Sequence, residues 1–139
     1  MSLLILDTNV IFALSKSPKV VGLVEKLRVS KIKLITPQFC FDELLNIKVK
    51  LMKYTGFSEE EFEFFIKEIK KVFFVVPEFL YEDFSEEAKH ISPDAKDSPL
   101  FALSLAFDKC PIWSREPRLK RQKAVKVLDD KGVEDLLKF

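Results

Sequence analysis

Five acidic side chains occupy places in the chain from which they can act together. Asp7 closes the apolar run Leu3-Leu4-Ile5-Leu6, Glu43 follows the apolar stretch ending at Thr36-Pro37, Asp94 and Asp97 precede Ser98-Pro99, and Glu116 lies three residues beyond Trp113. Carboxylates brought together without partners repel one another and raise their own pKa values, so such a cluster holds a cation or shares protons. Hard oxygen donors select Mg²⁺ or Mn²⁺. A divalent cation among them supplies a water nucleophile, orients a phosphate and neutralises charge on its oxygens, so phosphodiester hydrolysis is the natural reaction.

For that chemistry the elements must bring four chain regions to one place. Residues 3–6 are short and wholly apolar, the pattern of a strand buried on both faces of a parallel sheet. Ser17-Pro18 gives a cap and a first-turn proline, and Val20, Val21, Val24 and Leu27 predict a helix to about residue 29. The run 31–35 predicts a second strand. Thr36-Pro37 repeats the helix-start signal, opening a helix whose inner face carries Phe41, Leu44, Leu45, Lys48 and Met52, with Glu43 in its second turn.

Ser58 with Glu61 forms a capping box, followed at helical spacing by Phe62, Phe65, Ile66, Ile69 and Phe73. Further strands are expected at 73–76, 111–113 and 124–128, and helices after Ser85, after Ser98 and over 133–139. Strands alternating with helices imply βαβ units, and thus an α/β fold with a mainly parallel sheet covered on both faces. Ligands bind beyond the carboxyl ends of such strands, where these acids fall.

Length and composition agree with one packed domain over residues 1–139: 47% of residues are hydrophobic and 14 are Phe. The 23 basic and 22 acidic side chains leave a net charge of +1, so nucleic-acid binding requires a local basic patch. Cys40 and Cys110 stand far apart and His90 is the one histidine, which argues against a zinc cluster or a disulfide framework. The N-terminal apolar run ends after four residues at Asp7, too short for a signal peptide or a membrane span, and a cytoplasmic protein is expected.

Four segments in order resemble the successive motifs of PIN-domain ribonucleases. They are Leu6-Asp7-Thr8-Asn9, Phe41-Asp42-Glu43-Leu44, the run from Pro93 to Leu103 around Asp97, and Trp113-Ser114-Arg115-Glu116. The resemblance spans nearly the whole chain. It implies a three-layer α/β/α sandwich that cleaves RNA with Mg²⁺ or Mn²⁺ held by Asp7, Glu43, Asp97 and the acid of the fourth motif, Glu116; Asp94, outside what the resemblance assigns, reads equally as an auxiliary carboxylate of the site or as a loop residue. It also implies that Asn9 orients Asp7 or a water on the metal, and that Ser114 supports the site by hydrogen bonding. Cys40, Cys110 and His90 have no part in the family's chemistry.

The fourth motif of the family usually reads Thr-x-Asp-x-Asp, whereas this chain has Ser114-Arg115-Glu116-Pro117-Arg118, with a base in place of the second Asp. Many small PIN proteins are VapC-like toxins of toxin–antitoxin pairs, from which follow the expectations of a homodimer and of an antitoxin protein covering the site. Two alternatives stay open: a catalytically weak PIN scaffold that binds RNA or protein, and a housekeeping nuclease of RNA maturation.

Each residue also has a purely structural reading. Asp7 can be the N-cap of the next helix, Glu43 a solvent-facing helix residue, Asp97 a favourable charge at a helix start, and Asp94 and Glu116 loop residues. Arg115, Arg118, Lys120 and Arg121 sit in a basic segment that can contact RNA phosphates or remain a solvated loop. Phe62, Phe65, Phe73 and Phe74 can stack on bases, although the helical spacing of the first two favours the core.

Overall fold

β1 (Leu3–Leu6) has three consecutive side chains with no exposed surface, the burial of a strand covered on both faces. In the computed structural model, which describes residues 2–138, β1 is the centre of a five-stranded sheet. Its companions are β2 (Lys33–Pro37), β3 (Phe74–Val76), β4 (Ile112–Trp113) and β5 (Val127–Leu128), in the order β3-β2-β1-β4-β5. Every pairing is parallel, with Ile5 beside both Ile35 and Ile112.

Side chains alternate between the two faces of a strand, and two cores result. Leu4, Leu6, Leu34, Trp113 and Leu128 face one core, closed by α2 (Pro18–Val29), α5 (Glu59–Ile69) and α8 (Asp130–Leu136). Ile5, Ile35, Val76 and Ile112 face the other, closed by α6 (Ser85–Ile91) and α7 (Ser98–Ala106). The architecture is therefore the three-layer α/β/α sandwich.

The chain runs outward from β1 through β2 to β3, then returns to lay β4 against the opposite side of β1. This reversal leaves a crevice beyond the carboxyl ends of β1 and β4, the topological switch point at which open α/β sheets bind ligands.

Helix ends follow the local chemistry. Ser17 accepts from the Val20 N–H with Pro18 at the first helical position, and the Ser58–Glu61 capping box is complete at 3.2 and 2.9 Å. α2 ends in a Schellman arrangement: the Ile32 N–H reaches the Leu27 carbonyl and the Lys31 N–H the Arg28 carbonyl, both at 3.0 Å. Lys31 occupies the left-handed position, φ 62°, that glycine usually takes.

Several boundaries differ from the sequence expectations. A six-residue helix, α1 (Thr8–Ala13), follows Asp7; its length gives no room for a 3.6-residue period. The helix expected from Thr36-Pro37 onward is two, α3 (Gln38–Asn46) and α4 (Lys48–Thr55), because Ile47 leaves helical geometry at φ −102°, ψ 24°. Leu45, in the last turn of α3 ahead of the break, is 41% exposed rather than on the inner face. Thr36 does not cap α3; its hydroxyl donates to the Leu6 carbonyl at 2.8 Å, while Pro37 takes the cap position without a side-chain bond.

The last strand is shorter than residues 124–128, since the bends at residues 123–125, which follow a 3₁₀ turn at Pro117–Arg121, take up its first part. The terminal helix begins at Asp130, where the Asp129 side chain accepts from the Gly132 N–H; Phe139 lies outside the described residues. No helix among the described residues is long and apolar enough to cross a membrane.

Candidate active site

Asp7 ends β1 at the switch point and is 7% exposed. Its backbone turns out of the strand at ψ 158°, and its Oδ1 accepts the Thr8 N–H at 2.7 Å, capping α1. The other oxygen, Oδ2, accepts the Ser114 hydroxyl at 2.6 Å from the end of β4. Capping reading and site reading thus hold together, because a carboxylate has lone pairs to spare after two hydrogen bonds.

Ser114, 1% exposed, is the hub. Besides donating to Asp7, its Oγ accepts from Asn9 Nδ2 at 3.4 Å and from the Glu116 N–H at 3.0 Å. Asn9 Oδ1 in turn accepts the Arg115 N–H at 3.1 Å. The carboxyl ends of β1 and β4 are therefore laced together by side chains over a hundred residues apart in sequence.

Glu43 reaches the same crevice from α3. Its Oε1 accepts the Thr8 hydroxyl at 2.6 Å, and its Oε2 lies 3.6 Å from Lys96 Nζ. Asp97, at the start of α7, and Asp94, whose side chain accepts the Lys96 N–H at 3.0 Å, come from the loop before that helix. Asp7, Glu43, Asp94, Asp97 and Glu116 all line one pocket of about 370 Å³.

The electrostatics fit an anionic crevice. Burial pushes the Asp7 carboxyl up to about 6; the hydrogen bonds from Ser114 and Thr8 pull the other way, and the negative charges of Asp97 and Glu43 add to the rise. Asp97 is raised too, by burial first, then by Asp94 and Glu43, against the pull of Lys96 and Arg118. Glu116 behaves differently. The Arg118 N–H and guanidinium both bond its Oε1, at 3.1 and 3.0 Å, and hold its carboxyl below the usual range.

Among the described residues, no three Asp, Glu, His or Cys side chains stand close enough to form a ready-made cage. Glu43 is turned to Thr8 and Lys96, and Glu116 to Arg118. The donor set still suits a hard divalent cation: it is all oxygen, and Asp7 and Asp97 are protonated more readily than free carboxyls because they are buried beside negative neighbours.

The basic segment is mostly engaged. Arg115 pairs with Asp130 at 3.4 Å, Arg118 with Glu116 at 3.0 Å and Lys120 with Asp129 at 2.6 Å, while Arg121 has no such pair among the described residues. Cys40 and Cys110 are free and buried. Sequence reasoning missed Thr8 and Lys96 as partners of Glu43. The available signal for Thr8 was its position inside Asp7-Thr8-Asn9; Lys96 had none.

Residues 5–123 match the PIN domain. The chain belongs to the PIN-domain family. This PIN protein shares its architecture with VapBC2 from Rickettsia felis bound to a DNA fragment from their promoter. The TM-score is 0.67 at 13% identity, over 91% of this chain and 98% of that one. Comparison with curated proteins finds no match. Membership of the PIN family makes the acid-lined crevice the place to look for nuclease chemistry.

Proposed function

We propose that the chain is a Mg²⁺- or Mn²⁺-dependent endoribonuclease, acting as a single nuclease domain over residues 1–139. The observation that carries this reading is Asp7: a carboxylate buried at the switch point, raised by burial and by Asp97 and Glu43, in the pocket those acids line. Asp7, Glu43 and Asp97 would hold the cation, with Asp94 beside them and Glu116 available if Arg118 releases it. When bound, such a cation supplies a water nucleophile of lowered pKa and neutralises charge on the phosphate.

The protein's own groups do the rest. Ser114 and the Thr8 N–H fix both oxygens of Asp7, Asn9 holds Ser114, and Thr8 holds Glu43. Arg118 and Arg121 beside Glu116, with Arg115 and Lys120 behind them, contribute positive charge for RNA phosphates at the mouth.

The likeness to VapBC2 supports a place as the toxin of a toxin–antitoxin pair, cytoplasmic and homodimeric, with an antitoxin protein covering the crevice. The reading is tested by RNA cleavage in the presence and absence of Mn²⁺. Cleavage should require the metal and vanish in Asp7→Asn; cleavage unchanged by the substitution overturns the assignment. One observation favours a second reading, a scaffold of low activity: the clamp of Arg118 on Glu116 keeps the fourth acid from the other three. Calorimetric titration with Mn²⁺ separates the two, because a scaffold with an intact fold takes up no metal.

A further inference from the structure

A large cavity lies at the opposite end of the sheet from the acids. It is an open groove of about 840 Å³ where the turn from α2 into β2 meets the turn from α5 into β3. Arg28, Lys31, Lys33, Lys70 and Lys71 line it, and no acidic side chain does. In a chain of net charge +1 this is a local excess that composition conceals.

Lys71 is paired with Glu68 at 2.8 Å and Lys70 lies over the Phe41 ring. Arg28, Lys31 and Lys33 have no ion pair among the described residues. Bases at helix C-termini often just complement the helix dipole, which accounts for Arg28 and Lys70. It does not account for Lys31 and Lys33, which follow α2. Lys31 even holds a left-handed conformation at φ 62°, where a non-glycine residue costs about 1–2 kcal/mol.

Phe74 stands at the rim and is 64% exposed. It pairs in register with Ile35, so its ring is on the sheet face that also carries Lys33, two residues before Ile35. Of the four phenylalanines whose positions allowed base stacking, Phe62 and Phe73 are in the core and Phe65 is half-buried, leaving Phe74 turned outward. A positive groove with an outward aromatic ring is how single-stranded nucleic acid is held without sequence preference: phosphates on the bases, a nucleobase on the ring.

We propose that this groove is a second binding site for single-stranded RNA, an exosite that captures the strand to be cut. The proposal rests on the ribonuclease reading of the acidic crevice. The mouth of that crevice supplies only part of the affinity, since its carboxylates repel phosphate and Arg115, Arg118 and Lys120 there are each shared with an acid in an ion pair. An acidic peptide suits the groove less well: a pairing strand needs a long free edge, and β3 offers three residues, whereas a stacked base needs one ring. The floor at Lys33 is opposite Leu3, four residues before Asp7, or about 13 Å along the strand. A dinucleotide cannot occupy both sites, and a longer strand can.

The test is fluorescence anisotropy of a labelled oligouridine about 12 nucleotides long, within the range single-strand binding modules cover, in EDTA so that the crevice contributes no metal-dependent affinity. Phe74→Ala should weaken binding by about fivefold or more, the effect of removing one stacked base. Arg28→Gln, Lys31→Gly and Lys33→Gln together should lower the slope of log affinity against log salt by about 2, at roughly 0.7 for each phosphate that is no longer neutralised. Lys31→Gly measured by itself relaxes a left-handed residue, so weaker binding in that single variant cannot be assigned to unfolding.

Wild-type affinity and salt slope in these variants overturn the proposal, as does displacement of the RNA by polyglutamate as effectively as by unlabelled oligouridine. The two readings separate in Mn²⁺. Exosite variants should raise KM for the long RNA and leave a dinucleotide unaffected. If the wild type cuts no RNA but the variants lose RNA binding, the exosite stands and the nuclease reading falls; metal-dependent cutting with binding unaltered in the variants gives the reverse.

Discussion

Removing the charge of Asp7 should make the metal-free protein more stable at alkaline pH and less stable at acid pH. The folded-state pKa is raised from 3.8 to about 6, which corresponds to about 3 kcal/mol. Because the folded state holds the proton more tightly, the penalty is absent below the unfolded pKa, grows as pH rises from there, and is complete above about 6. Asn in place of Asp7 abolishes that penalty at the expense of a hydrogen bond. Its amide oxygen can still accept the Thr8 N–H, whereas its NH₂ then faces a Ser114 hydroxyl that already accepts from Asn9 and Glu116 and has no acceptor left for its own proton.

One missing hydrogen bond offsets about 1 kcal/mol, leaving Asp7→Asn about 2 kcal/mol more stable than wild type at pH 8. At a pH of about 3, well below the unfolded value, only the missing bond counts and the variant is about 1 kcal/mol less stable, so the curves cross near a pH of about 4.5. Urea unfolding in EDTA across this range, with equal m-values for the two proteins, measures the difference directly. A variant less stable than wild type at pH 8, or a gain that does not change with pH, would refute the account of Asp7 as an electrostatically strained carboxylate.

Two further outcomes follow from side chains around the site. Thr8→Val removes the hydroxyl that holds Glu43 at 2.6 Å while keeping the shape of the side chain; it should weaken Mn²⁺ binding in calorimetry about tenfold, the equivalent of roughly 1.4 kcal/mol for a hydrogen bond to a charged group, and Thr8→Ser should restore it. Burial raises both thiols, Cys110 to about 11 and Cys40 further, with Asp7 adding to the effect on Cys40. Neither should react with a disulfide reagent at pH 8 until the protein is unfolded; rapid labelling of the native protein would show that the packing around α3, for Cys40, or between α7 and β4, for Cys110, opens.

The parts of this molecule that could be read from the sequence are those that depend on neighbours in the chain. Buried strands announce themselves as apolar runs, and Ser17-Pro18 and Ser58 with Glu61 mark helix starts because capping acts over three residues. The acids could be located because each follows a strand or opens a helix, and the fold brings those ends to one crevice. What stayed hidden depends on pairs of distant residues or on short elements. α1 is too brief to show a period, Ile47 breaks a helix without glycine or proline, and the Thr8–Glu43 bond joins residues 35 apart. The basic groove draws on two turns about 40 residues apart, each unexceptional by itself.

The bond between Ser114 and Asp7 closes a loop of 107 residues. A ribosome adding roughly 5–20 residues per second releases Asp7 about 5–20 s before the serine that orients it. During that interval the nascent chain gains β2 and then β3 but has no β4 to set beside β1, so Asp7 has neither its hydroxyl partner nor the wall that buries it. A cell that makes this protein therefore meets no assembled acid crevice until the final stretch of the chain has been synthesised and docked. On the ribonuclease reading proposed above, the strand order delays cleavage until β4 is in place, and fragments that stop before residue 112 should be inert.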